Sequence, residues 1–238
     1  MGNIELVRIN FTFSVKPLHY SPATMDPTLQ NPVTVLIAGP TGSGKTSLLM
    51  KLLKHANVMF ADPPKRILWC YGVYQQAYNQ MQEDIPNITF MEGLPDQIDD
   101  YFDGKEPACL VLDDLMFSGA NSQDIAKICT QGSHNKNVSI FILVQNVFHR
   151  GNYMRCISLN CRYIIVMRNN RDKSQIVTLG KQLYPYNTRF LRDAYEDSIK
   201  LSKYGYLFLD LNHEEDSMRV RTQIFPDELH YVYVIKNK

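Results

Sequence analysis

Apolar runs and helical repeats alternate along most of this chain. Val33 to Ala38 reads as a short buried strand. Thr46 to His55 follows with Leu48, Leu49, Leu52 and Leu53 on one helical face. Arg66 to Tyr71 and Ile88 to Met91 are strand-like, with a helix predicted over Tyr74–Gln82 between them. Cys109 to Leu112 is a strand between turn signals, Asn121 to Gln131 a helix, and Val138 to Val144 an apolar strand. Arg162–Met167 and Tyr206–Leu211 are further strands, separated by helices near Lys173–Leu183 and Thr188–Leu201. Strand runs without polar alternation are buried on both faces. Strands alternating with helices imply right-handed crossovers, and so an α/β fold with a mostly parallel sheet sandwiched by helices.

The N-terminal stretch differs. Ile9, Phe11, Phe13 and Val15 alternate with Asn10, Thr12, Ser14 and Lys16, the period of a half-buried strand. Pro17, Pro22, Pro27 and Pro32 follow at a spacing of five. Residues 1–31 therefore read as a strand and proline-rich strap, or more simply an extra edge strand, ahead of a core domain over 32–238.

Composition narrows the class. The 238 residues suit one large domain, and 45% hydrophobic with 21% charged residues is globular, not disordered. With 25 basic and 24 acidic residues the chain is no polybasic nucleic-acid wrapper, although local groups on a motor remain compatible with that balance. Cys70, Cys109, Cys129, Cys156 and Cys161 form no Cys-x-x-Cys pair, which predicts reduced thiols and a soluble, intracellular protein. No signal pattern and no membrane-length apolar run is present. Met1-Gly2-Asn3 opens like a myristoylation signal, but Leu6 stands where Ser or Thr is needed. The six histidines have no metal-like spacing.

The strongest chemical signal is Gly39-Pro40-Thr41-Gly42-Ser43-Gly44-Lys45-Thr46, which fits G-x-x-x-x-G-K-[ST] in full. It lies between a predicted strand and an amphipathic helix, as phosphate binding requires. Glycines let successive backbone N–H groups face a β-phosphate, and the helix N-terminus adds partial positive charge. Lys45 is expected to reach the β- and γ-phosphates of ATP, and the Thr46 hydroxyl to complete a Mg²⁺ shell. A second signal is Leu110-Val111-Leu112-Asp113-Asp114, an apolar strand ending in two carboxylates. These emerge at the carboxyl edge of the strand, where ligands bind in open α/β sheets. Asp113 is expected on Mg²⁺. Asp114 either faces the opposite side by strand alternation or turns as the strand ends, and there polarises the attacking water. The strand Ser139–Val144 ends in Gln145-Asn146, which reads as a γ-phosphate sensor or as a cap for the next helix. An added strand, an acidic pair and a polar sensor describe the RecA-like division of P-loop NTPases.

Gly39–Thr46, Leu112-Asp113-Asp114 and Val144-Gln145 together resemble the poxvirus-type genome-packaging ATPases of the FtsK/HerA superfamily, notably those of Maverick/Polinton elements and adintovirus-like viruses. The resemblance spans about residues 32–211. Many relatives in the wider superfamily carry Asp-Glu where this chain has Asp113-Asp114, one methylene shorter. The resemblance implies a homo-oligomeric ring, expected hexameric, that drives double-stranded DNA into a preformed capsid at the host site of virion assembly. A capsid or portal-vertex protein is the implied partner.

Charge is segregated along the chain. Residues 83–114 hold ten acids and one lysine, and 150–173 hold Arg150, Arg155, Arg162, Arg168, Arg171 and Lys173 against Asp172 alone. A solvated basic face is the simplest reading. The functional readings are an arginine finger on a neighbouring subunit's ATP and contacts to DNA phosphates. Arg150 is the favoured finger because it follows the sensor strand, with Arg168 and Arg171 as alternatives. Acidic and basic patches also suit head-to-tail packing in a ring. Tyr71, Tyr74 and Tyr78 read as core, or as the lining of a channel or adenine pocket. The rivals to a packaging motor are a helicase of the same fold, a nucleotide or small-molecule kinase, and an ATP-gated scaffold without turnover.

Overall fold

The computed structural model describes residues 15–20, 29–85, 87–95, 100–115, 129, 136–148 and 157–235. Ten strands form one sheet: β1 (Val15–Tyr20), β2 (Thr34–Ala38), β3 (Arg66–Tyr71), β4 (Ile88–Glu92), β5 (Ala108–Asp113), β6 (Val138–Val144), β7 (Tyr163–Met167), β8 (Tyr206–Asp210), β9 (Val220–Thr222) and β10 (His230–Ile235). Their spatial order is β1-β10-β9-β8-β7-β2-β6-β5-β3-β4. The block from β7 to β4 is parallel throughout. Beyond β7 every pairing is antiparallel. The helices described from end to end are α1 (Lys45–Lys54), α2 (Ala56–Met59), α3 (Ala77–Asp84), α4 (Ser174–Leu183) and α5 (Phe190–Ser198).

Strand alternation divides the core into two layers. Leu36, Leu110, Leu112, Ile140, Ile142 and Ile164 face one side and pack with Ile176 and Leu179 of α4 and Leu191 and Ala194 of α5. Val35, Ile37, Val111, Phe141, Leu143 and Ile165 face the other and pack with Leu49, Leu52 and Leu53 of α1 and Met81 of α3. Both faces of the central strands are therefore dry, which is why they read as apolar runs.

Two differences from the sequence reading concern the sheet's far side. Of the alternating run 9–16 only Val15 and Lys16 are described, and they open β1, which continues through Pro17. Pro17 is tolerated because β1 is an edge strand and a missing N–H costs little there. The differences are β9 and β10, unexpected because β9 is only three residues long and both are antiparallel additions. The helix expected at 121–131 lies outside the described residues apart from Cys129, as do residues 9–14, Arg150 and Arg155. No described helix is long and apolar enough to cross a membrane.

Candidate active site

The register aligns the carboxyl ends of β2, β5, β6 and β7. Ala38 pairs with Val144 on one side and Val166 on the other, and Asp113 pairs with Leu143. The loop leaving β2 is tied to β6 by Gly39 N–H donating to Val144 O at 3.0 Å. Because β6 lies between β2 and β5, all three sequence motifs meet at one edge.

The loop turns through Gly44 at φ 95°, a left-handed conformation that favours glycine, and α1 begins at the next residue. Lys45 is largely buried, and its ammonium donates to Gly39 O (2.7 Å) and Pro40 O (3.2 Å). Burial pulls its pKa below the usual lysine value, and the nearby Asp114 and Asp113 carboxylates partly oppose this. The buried Ser43 hydroxyl has no hydrogen-bond partner in the structure. An orphan hydroxyl in a turn of backbone amides, beside a partly desolvated ammonium, fits a polyphosphate.

Asp113 is 3% exposed. Its Oδ2 accepts from Thr46 Oγ1 at 3.3 Å and from the Tyr78 hydroxyl at 3.0 Å. Burial raises the Asp113 pKa, while the bonds from Tyr78 and Thr46 and the Lys45 charge hold it back. A threonine hydroxyl and a buried carboxylate in contact are the oxygen donors that Mg²⁺ takes alongside phosphate and water.

Asp114 does not continue the strand. Its φ is 49°, so the chain turns and the carboxylate leaves the β5 alternation. Aspartate is among the few non-glycine residues that enter this region readily, and such conformations gather at functional sites. The turn sets Asp114 Oδ1 3.4 Å from Gln145 Nε2, with both side chains exposed at the edge. Asn146 has a separate task, since its Oδ1 accepts the Phe148 N–H at 2.7 Å and caps a local turn.

A cleft of about 790 Å³ opens beside the loop between Pro40–Ser43, Gln145 and the 168–172 turn. Arg168 and Arg171 line it on the same chain as the loop, together with Lys203. Arg162, from the same basic stretch, lies at the other end of β7 and pairs with Asp210. The turn is held from beneath. Asn169 Oδ1 accepts the N–H groups of Arg171 (2.9 Å) and Asp172 (3.1 Å). The Tyr195 hydroxyl of α5 donates to Met167 O (3.1 Å) and accepts Asn169 N–H (2.8 Å). Gln175, 6% exposed, joins this turn to the exit of β6: its Oε1 accepts Val147 N–H at 2.9 Å and its Nε2 donates to Asp172 Oδ2 at 3.2 Å.

Sequence reading missed two of these roles. Tyr78 stacks in an aromatic cluster with Tyr71, Tyr74 and Phe90, but its hydroxyl serves Asp113. This cluster follows β3, which β5 and β6 separate from the loop's own strand. Gln175 could have been noticed as an amide on the apolar stripe of α4, between the strand and Ile176.

No known family pattern matches the chain, and no curated protein sequence does. Solved structures do match in shape. The DNA-packaging ATPase B204 of Sulfolobus turreted icosahedral virus superposes with TM-score 0.52 at 13% identity, over 83% of this chain and 98% of that one. This is an α/β RecA-like P-loop fold. The genome-packaging NTPase B204 of Sulfolobus turreted icosahedral virus 2, solved with sulfate, gives TM-score 0.50 at 14% identity over 83% and 96% of the two chains. The cytoplasmic domain of the Thermomonospora curvata type VII secretion ATPase EccC gives 0.52 at 13% identity, over 79% of this chain and 25% of that one. At such identities the RecA-like fold is what is shared.

Proposed function

We propose that this chain is an ATP-hydrolysing motor that translocates double-stranded DNA and packages it into a preformed capsid. We place it with the poxvirus-type packaging branch of the FtsK/HerA superfamily. The observation that carries the reading is the Asp114–Gln145 pair, 3.4 Å apart, at the edge where the phosphate loop and Asp113 also lie. A kinase has no use for a water-activating carboxylate backed by a polar amide. The fold shared with two viral packaging ATPases supports the packaging assignment.

In this mechanism the loop Gly39–Thr46 binds the β- and γ-phosphates of ATP. The Lys45 ammonium exchanges the carbonyls of Gly39 and Pro40 for phosphate oxygens. Thr46 and Asp113 hold Mg²⁺, which neutralises charge on the phosphates when bound. Tyr78 keeps the Asp113 carboxylate turned toward Thr46. The Asp114 carboxylate takes a proton from the attacking water, and the Gln145 amide orients that water. In a homo-oligomeric ring, expected hexameric, Arg150 reaches the neighbour's ATP as a finger. Arg168 and Arg171, already on the cleft, are the alternatives for that charge. DNA in the ring channel and a capsid or portal-vertex protein complete the assembly.

The test is the ATPase rate with and without duplex DNA for wild type, Lys45→Ala and Asp114→Asn. Wild type is expected to be stimulated by DNA, and Asp114→Asn to bind ATP but turn over about 10²–10⁴ times more slowly. No hydrolysis at any protein concentration defeats the motor reading. Strand displacement on a forked substrate points instead to a helicase, and phosphate transfer to a diffusible acceptor to a kinase.

A further inference from the structure

A second, smaller pocket of about 220 Å³ begins where the first cleft ends. Its lining includes Gly44 and Ser47, one residue on either side of Lys45-Thr46, and residues of the segments before β8 and after β9. We propose that this pocket takes the base and ribose of the nucleotide, with the Tyr204 ring as the surface on which the base stacks. The proposal rests on the ATPase reading above.

Three observations carry it. The first is direction. The water-activating pair Asp114–Gln145 fixes where the terminal phosphate must lie, and Gln145 belongs to the large cleft. A nucleotide with its terminal phosphate there must run the other way along the loop, past Gly44 and Ser47, and these residues line the small pocket.

The second is charge. The large cleft carries Arg168, Arg171 and Lys203, which suits phosphates. The small pocket has Leu48, Met167, Leu201 and Phe225 in its lining. Its one cation, Lys51, is already matched: the ammonium lies 2.9 Å from Glu228 and 3.1 Å from Asp227, and 4.1 Å over the Phe225 ring. An apolar lining with its charge already paired suits an uncharged aromatic base. The Gln223 side chain on the rim adds an amide with both donor and acceptor for the edge of such a base.

The third is preorganisation. Tyr204 stands in a tight turn closed by Gly205 N–H on Ser202 O (3.1 Å) and Tyr204 N–H on Ser202 Oγ (3.2 Å). Gly205 is pressed against the end of α5, where a Cβ would stand 2.7 Å from Ile199 Cα. The ring packs on the loop itself, since a Cβ on Gly44 would stand 3.0 Å from Tyr204 Cδ1. Even so the residue is 48% exposed beside the loop, and the Lys203 ammonium stands 5.2 Å from the ring centroid, a cation that a stacked base would displace toward the phosphates. A fixed aromatic face binds a base without losing side-chain freedom on association.

The experiment compares two ligands that share phosphates but not a nucleoside. Binding of Mg·ATP and of Mg·tripolyphosphate is measured by calorimetry for wild type, Tyr204→Ala, Tyr204→Phe and Leu201→Trp, each checked for a native circular dichroism spectrum. Tyr204→Ala is expected to weaken ATP about 10- to 100-fold and to leave tripolyphosphate within about twofold. Tyr204→Phe should restore ATP binding, and Leu201→Trp, which fills the pocket from its rim, should again weaken ATP alone. If Tyr204→Ala weakens both ligands equally, the tyrosine only supports the loop and the pocket assignment falls. The assignment also falls if ATP binding is unchanged in Tyr204→Ala and Leu201→Trp while tripolyphosphate binds wild type. If tripolyphosphate fails to bind wild type at all, the phosphate-loop reading itself fails, and the pocket with it.

Discussion

Gln175→Leu separates a clamp from a simple core residue. Leucine keeps the volume on the buried stripe of α4 but removes both polar contacts. The bond from Val147 N–H is 2.9 Å long and fully buried, so that donor is left unpaired in an apolar setting. The bond to Asp172 is half-buried, and Asp172 keeps its bonds from Ser174 N–H and Oγ. One orphaned buried N–H costs about 1–3 kcal/mol, and one half-exposed hydrogen bond about 0.5–1 kcal/mol. Together they amount to about 1.5–4 kcal/mol. At a urea m-value of about 3 kcal/mol/M the unfolding midpoint should fall by about 0.5–1.3 M. Gln175→Glu keeps an acceptor for Val147 but sets a second carboxylate against Asp172, so its loss should be smaller and should affect the arginine turn first. ATPase turnover is expected to fall about tenfold in Gln175→Leu with KM little changed, because Gln145 and the 168–172 turn lose their common support. A midpoint within about 0.2 M of wild type would refute the reasoning, since it would mean the Val147 N–H is not buried or not bound as the structure has it.

Other perturbations test separate parts of the molecule. Asp210 and Arg221, each 4% exposed in their side chains, pair at 3.3 Å, so Asp210→Asn should cost about 3–5 kcal/mol in urea unfolding. The paired change Asp210→Leu with Arg221→Met should recover most of that loss. Tyr78→Phe removes a hydrogen bond to Asp113, the carboxylate proposed to hold Mg²⁺, and the Mg²⁺ concentration for half-maximal ATPase should rise about tenfold. The Lys51 ammonium lowers the Asp227 pKa below its ordinary 3.8. A depressed folded-state value stabilises above 3.8 and loses that contribution as pH falls through the lower folded value, so the Tm gap between wild type and Lys51→Met should be larger at pH 7 than below pH 3.8. Burial pushes the Cys70 thiol up to about 12, and Cys109 and Cys161 also above the ordinary thiol value. At pH 8 iodoacetamide should label these three only on unfolding, as read by mass spectrometry.

Legibility followed burial on both faces. The central strands 34–38, 66–71, 108–113 and 138–144 are dry on two sides, so their composition alone marks them. The loop and Asp113-Asp114 stand out in the sequence because the chemistry proposed for them needs fixed residues at fixed spacing. The turn of Asp114 toward Gln145 was one of two readings, and only the φ of 49° decides it. The roles of Tyr78 and Tyr204 had no local signal, and Gln175 only that of an amide on an apolar stripe. Their partners lie 35 positions away at Asp113, 28 at Val147 and, for Tyr204, on the loop after β2, two strands from β8, so only the tertiary register brings them together. The antiparallel strands β9 and β10 escaped for a similar reason: three residues at 220–222 make a strand only when β8 and β10 flank them.

The pairing of β1 with β10 sets an order for biosynthesis. On a ribosome, Val15–Tyr20 leave the exit tunnel long before His230–Ile235, yet each residue of β1 finds its hydrogen-bonding register only on β10. The earliest described strand must wait, unpaired, until β10 has been made. A nascent chain that carries β9 but not yet β10 presents β9 as an open edge, and Pro17 gives the waiting segment a poor template for annealing to another chain. Closing so long a loop makes the pairing of β1 with β10 a late, slow step in completing the sheet.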